Sequence, residues 1–220
     1  MDELLRRDPQ RAEGAREEWH GRVIFVHAIR SDDDGRTWSD PIDLTPQIKH
    51  PDWVAAMAGP GMGITMSGGR LICPGYRRFD ADLGEDSAHV YFSDDHGATW
   101  QVGEAAATQT NEAQAVELAD GRLMLNMRTP RGYNRRRVAI SQDGGETWSE
   151  AHDDPALTEP GCQASIIRWP GGTMGADGRL LFSNPASTDK RTDMTVRVSY
   201  DDGQTWPVAK TIAGEYCSYS

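Results

Sequence analysis

The sequence predicts an all-β chain built as a β-propeller of about four blades, and three observations predict it. An eight-residue turn, Ser-x-Asp-x-Gly-x-Thr-Trp, occurs at Ser31–Trp38, Ser93–Trp100, Ser141–Trp148 and Ser199–Trp206. The steps between the starting serines are 62, 48 and 58 residues, the length of one blade with variable loops. A second turn recurs between the boxes as Gly69-Arg70-Leu71, Gly121-Arg122-Leu123 and Gly178-Arg179-Leu180.

Taken in order, residues 1–21 are rich in Arg, Glu and Asp and poor in apolar residues, which predicts a frayed helix or disordered tail. The propeller domain is placed at 22–220. Its first strand is read at Val23–Val26, ending at Ile29 before the first box. Later boxes follow the alternating runs Val90-Tyr91-Phe92, Val138-Ala139-Ile140 and Val196-Arg197-Val198, and the Gly-Arg-Leu turns lead into runs such as Leu71-Ile72-Cys73 and Leu180-Leu181-Phe182. Within a box, Gly supplies a positive φ, Ser and Asp bond nearby amides, and Trp packs back as an apolar plug. Turn, strand, box, strand makes a blade.

Composition narrows the function classes. The net charge of −11 argues against nucleic acid or an anionic membrane surface as partner. Arg131, Arg135, Arg136 and Arg137 form the one dense basic run and read as a solvated loop. The three widely spaced cysteines, Cys73, Cys162 and Cys217, form neither a disulfide framework nor a CxxC metal site, and the six histidines lack metal-ligand spacing. The acids of the boxes lack the EF-hand pattern, so calcium is not expected there. No metal and no cofactor are expected. No segment reads as a signal peptide or membrane helix, so no membrane insertion is expected and localisation stays open.

The residues between the boxes carry a more specific likeness. Asn111-Glu112-Ala113-Gln114-Ala115, then Asp120-Gly121-Arg122-Leu123 and Asn126-Met127-Arg128, resembles the segment of exo-α-sialidases that carries a buried glutamate and a substrate-binding arginine. Ser183-Asn184-Pro185 followed by Lys190-Arg191-Thr192 resembles the segment with the next arginine, and Cys217-Ser218-Tyr219-Ser220 the motif that holds the family's tyrosine nucleophile. Pro74-Gly75-Tyr76 is similar to an aromatic wall near the substrate, and Gly161-Cys162-Gln163-Ala164-Ser165 to a segment whose glutamine lines the pocket. The resemblance covers about residues 22–220.

What it implies is a sialidase-type propeller that releases terminal sialic acid from a glycoprotein, glycolipid or oligosaccharide. Tyr219 would be the nucleophile and Glu112 its base, with Arg128, Arg191, Tyr76 and Gln163 binding substrate. These residue types suit the chemistry, because arginine forks stay charged and grip a carboxylate bidentately, while a neutral phenol approaches an anionic sugar more easily than a carboxylate does. The family also has an arginine in an Arg-Ile-Pro context and an acid/base aspartate. No Arg-Ile-Pro occurs in this sequence, and Asp80, Asp82 and Asp86 lie in a loop without the aspartate's motif. The family closes six blades, so about four imply a partial chain, expected to be inactive alone. The alternative reading is a non-catalytic Asp-box propeller that binds glycans or proteins.

Overall fold

The structure is a computed structural model that describes residues 24–79, 86–169 and 179–220, so the charged segment 1–21 and Asp80 and Asp82 lie outside the described residues. Strands β1 (His27–Ala28) and β2 (Ile42–Asp43) form a two-stranded sheet, followed by a one-turn helix, α1 (Thr45–Ile48). In the second sheet β3 (Ala55–Ala58) and β4 (Ile64–Thr65) flank one side of β5 (Leu71–Arg78). On its other side β5 pairs with β6 (Asp86–Ser93), which pairs with β7 (Gln101–Val102) and β8 (Ala107–Thr108). The third sheet runs β9 (Ala113–Glu117), β10 (Leu123–Met127), β11 (Arg135–Ser141), β12 (His152–Thr158). The fourth runs β13 (Ser165–Trp169), β14 (Arg179–Pro185), β15 (Thr192–Ser199), β16 (Val208–Tyr216). Every pairing is antiparallel, and in the third and fourth sheets each strand pairs with the next along the chain, as short hairpin connections require. These sheets are the blades of a partial β-propeller: three four-course blades and the outer pair of another.

Both sequence repeats fall at fixed registers. The leucine of each Gly-Arg-Leu turn pairs with the first serine of the following box: Leu71 with Ser93, Leu123 with Ser141, Leu180 with Ser199. Each box joins the third course of a blade to the fourth. Its serine hydroxyl bonds the Asp two residues on and accepts the glycine N–H at 2.7–2.8 Å, while the same Asp takes the Thr N–H and hydroxyl. These bonds hold Asp33, Asp95 and Asp143 down at about 2. In Asp143 burial pulls the other way and is outweighed by its hydrogen bonds. Two successive left-handed residues close the turn, for example His96 (φ 59°) and Gly97 (φ 86°), or Gly144 (φ 71°) and Gly145 (φ 97°).

The blades stack face to face through three apolar cores. Leu44, Ile48 and Tyr91 pack between the first two sheets; Ile72, Val90 and Phe92 meet Leu123, Leu125 and Met127 between the second and third; Val116, Met124 and Val138 meet Ile166, Leu180 and Phe182 between the third and fourth. Arginines clip the stack at one rim. Arg70 reaches Asp94 of its own blade's box at 2.7 Å, and the Glu146 carboxylate and Asp143 carbonyl of the next blade's box at 3.0 and 2.9 Å. Arg168 does the same between the last two blades, donating to the Glu117 carbonyl at 2.6 Å and to Asp202.

Three expectations need correcting. The first strand is shorter than Val23–Val26: Val23 lies outside the described residues, and regular pairing covers His27–Ala28 alone, because the Val26 N–H goes to the Thr45 hydroxyl at 2.9 Å at the start of α1. The tryptophan plug holds for Trp100, Trp148 and Trp206, which pack on the cores, but Trp38, on the two-stranded sheet, is 58% exposed. The basic run is not a solvated loop, since Arg135–Arg137 open β11 and Arg136 is completely buried. The cysteines are free thiols, with Cys162 buried, and no helix among the described residues is long and apolar enough to cross a membrane.

Candidate active site

Because the courses of a blade alternate in direction, the end of one and the start of the next share a rim. The boxes occupy one rim. At the other the chain sets Tyr76 near the end of β5, Glu112 just before β9, Arg128 just after β10, Gln163 before β13 and Arg191 before β15. Beyond β16, Cys217–Ser220 runs inward across this rim to β13: the Ser220 hydroxyl donates to the Ser183 carbonyl at 2.6 Å and accepts the Ser165 N–H at 3.2 Å.

This crossing brings Tyr219 onto Glu112, 107 residues away in sequence: the phenol donates to Glu112 Oε1, while Glu112 Oε2 accepts from Arg128. The Glu112 side chain is 13% exposed and that of Arg128 22%. The hydrogen bond to Glu112, with burial and the Glu112 charge behind it, pushes the Tyr219 phenol above its ordinary 10. The phenol therefore stays protonated at neutral pH, its proton already directed at a carboxylate. Burial works against the Arg128 cation, but the hydrogen bond and charge of Glu112 outweigh it and the net shift is upward. Tyr219 itself has φ 62°, a conformation uncommon for a bulky residue. Its neighbours hold it there: Cys217 N–H donates to the Arg191 carbonyl at 2.8 Å and Ser220 N–H to Gln163 Oε1 at 3.2 Å.

Arg191 lies with its guanidinium 5.8 Å from the Tyr219 ring centroid and donates to the Ser218 hydroxyl at 3.1 Å. Arg128 and Arg191 both face a cleft of about 540 Å³, which Arg131, Lys190 and Tyr216 also line. Tyr216, the neighbouring phenol in sequence, is 77% exposed at the end of β16, so of the two it is Tyr219 that meets Glu112. Tyr76 is half-buried on β5, and its phenol is raised by burial and then by the charges of Glu112 and Asp86. Gln163 is buried, and its amide grips the Ser220 backbone, supporting Tyr219 from below. Asp86, the first residue of β6 rather than part of a loop, is buried in a fork with Arg78, at 2.7 and 3.0 Å, and takes Asn111 Nδ2 at 3.1 Å, so its carboxylate is committed to holding the residue before Glu112.

Sequence reasoning missed the pair beneath the site. Arg136 and Glu159 are both fully buried and bonded at 3.2 Å. One signal was available for Arg136: period-two alternation counted back from Val138 puts it on the face turned to the next blade. Nothing in the sequence pointed to Glu159.

Comparison with known proteins gives the following. The model of the BNR repeat-like domain matches residues 12–220. A sialidase of Bacteroides fragilis is 43% identical over 180 residues, 80% of this chain and 32% of that protein. A sialidase of Micromonospora viridifaciens is 40% identical over 208 residues, 90% of this chain and 31% of its own length. The solved structure of Hadza microbial sialidase Hz136 superposes with a TM-score of 0.80 at 43% identity, covering 87% of this chain and 37% of that one. The chain thus spans about a third of the length of these two relatives.

Proposed function

Since this chain belongs to the BNR-repeat family of exo-α-sialidases, we propose that it carries the nucleophile half of a sialidase site, releasing terminal sialic acid from glycoconjugates with retention of configuration. The observation that carries the proposal is the Tyr219 phenol donating to Glu112 Oε1. In the first step Glu112 takes the phenol proton as the Tyr219 oxygen bonds to the anomeric carbon, and the bond from that carbon to the aglycone oxygen breaks. The departing oxygen takes a proton from a general acid, the role the resemblance gives to an aspartate outside the motifs of this sequence. Water then displaces tyrosine at the same carbon, giving up a proton to the base, and the second inversion restores the starting configuration. Arg128 and Arg191, facing one cleft, grip the sugar carboxylate through paired N–H donors. Glu112 is itself held by Arg128, so the base is oriented before substrate arrives.

The experiment is covalent trapping. The full protein is treated with a 3-fluorosialosyl fluoride, digested, and the modified residue located by mass spectrometry. The adduct should fall on Tyr219 and vanish in Tyr219→Phe. An adduct on Glu112 or Tyr216, or undiminished release of a fluorogenic aglycone by Tyr219→Phe, would sink the assignment.

A further inference from the structure

Among the described residues, the hydrogen bonds of the buried ion pair below the site go to backbone groups, Asn126 and Thr129 and to none of the site side chains, and such a pair is an unusual thing to keep in a β-sheet core. Removing two charges from water costs as much as their attraction returns, and apolar side chains of like size would serve stability as well. Its bonding shows what it does instead. Arg136 Nε donates to Asn126 Oδ1 at 2.7 Å, Nη2 to the Asn126 carbonyl at 3.1 Å and the Glu112 carbonyl at 3.5 Å, and Nη1 to the Cys162 carbonyl at 3.0 Å. Glu159 accepts from the Thr129 N–H at 2.7 Å, the Thr129 hydroxyl at 3.0 Å and the Cys162 N–H at 3.1 Å. The segments so tied each carry a site group or its support: Glu112; Arg128, which precedes Thr129; and Gln163, which follows Cys162 and grips the backbone next to Tyr219.

We propose that Arg136 and Glu159 form a positioning pair that sets the alignment of Glu112, Arg128 and Tyr219. The pair acts through the backbone, touches no substrate, and ties the loops of the third blade to the connector that leads into β13. This rests on the sialidase reading for its catalytic consequence, though the alignment itself can be read without any turnover.

The test replaces both members with neutral residues of similar size, Arg136→Met with Glu159→Gln, and in parallel makes Arg136→Lys, which keeps the charge and loses the fork. Three quantities are read: thermal stability, kcat and KM on a fluorogenic sialoside, and ionisation of Tyr219 from the ultraviolet difference against the matching Tyr219→Phe protein. Glu112, Arg128 and Arg191 are the charged groups facing that phenol. The double variant should stay folded but melt lower, because Asn126 Oδ1 and the Asn126, Glu112 and Cys162 carbonyls lose their donor. It should lose about 10- to 100-fold in kcat at similar KM and let the Tyr219 ionisation drop back toward about 10 as its contact with Glu112 loosens. Arg136→Lys should fall between. Wild-type kcat and an unmoved Tyr219 ionisation in either folded variant would overturn the proposal. Should wild type show no sialidase activity, the function reading fails, while a shifted phenol in the variants would still support the positioning role.

Discussion

At the residue scale, the proposed site rests on one hydrogen bond from Tyr219 to Glu112 whose two ends are held, Glu112 by Arg128 and the backbone next to Tyr219 by Gln163. Glu112→Gln keeps the shape of the acceptor and removes its charge. Release of a sialoside should fall about 10²- to 10⁴-fold, and Tyr219 should ionise nearer 10, followed by ultraviolet titration. The contact also leaves a signature in stability. The folded phenol's pKa lies above its unfolded value of about 10, so its contribution is fully present below that pH and is lost as pH rises through the folded value. Comparing melting temperatures between pH 9 and 11, Tyr219→Phe should decline less steeply than wild type. Residue types and motif order made Glu112, Arg128, Arg191 and Tyr219 legible as a set. The left-handed backbone of Tyr219 and the grip of Gln163 on Ser220 were not, since both arise from where β16 lets the chain cross the rim.

At the element scale, the box is a hydrogen-bonded unit whose worth depends on where its tryptophan goes. The same serine and aspartate bonds form in all four copies, yet Trp206 stacks on Phe182 at 5.7 Å and donates to Asp154 at 3.0 Å, whereas Trp38 stays largely in water. Trp206→Ala should cost about 2–4 kcal/mol in denaturant unfolding and Trp38→Ala under about 1 kcal/mol. Equal losses would contradict the packing. The box acids titrate the other way from Tyr219. Asp33, Asp95 and Asp143 are held at about 2, below the ordinary 3.8, so their support is present above that ordinary value and lost as pH falls from about 4 to 2. Acid melting curves should steepen in that window, and Asp143→Asn should flatten it. The boxes and their flanking strands were readable because each is a local pattern. The burial of Arg136 was hidden by its charged neighbours, as three consecutive arginines read as a surface until alternation from Val138 is counted.

At the scale of the whole molecule, blades cohere through contacts that no single repeat contains. Gly103 of the second sheet runs so close to the third that an added Cβ would stand 1.9 Å from the Gly145 carbonyl. Gly103→Ala must therefore push two blades apart, and a loss of about 3 kcal/mol or more is expected by calorimetry or denaturant titration. Arg70→Met keeps the side chain's apolar stem over Phe92, where the guanidinium now sits 4.3 Å from the ring centroid, but loses the links to Asp94 and Glu146. A loss of about 1–2 kcal/mol that shrinks in high salt is expected, since those partners are half exposed. The stacking order of the blades followed from the repeat, but the clips did not, because Arg70 and Arg122 share the Gly-Arg-Leu turn and differ only in what stands two residues before: Arg122 turns back to Asp120, whereas Gly68 leaves Arg70 to reach the next blade.

The separation of the two rims has a practical side. Boxes and Gly-Arg-Leu turns gather at one end of the stack and Tyr219, Glu112, Arg128 and Arg191 at the other, with the full length of the strands between. A chemical handle at the box rim, for instance a cysteine replacing Gln142 or Gln204 in a protein whose partly exposed Cys73 and Cys217 have been changed to serine, would anchor the protein to a bead or sensor chip with the Tyr219 end turned to the solution. Oriented capture of this kind needs no knowledge of the glycan, since the geometry alone decides which end faces outward.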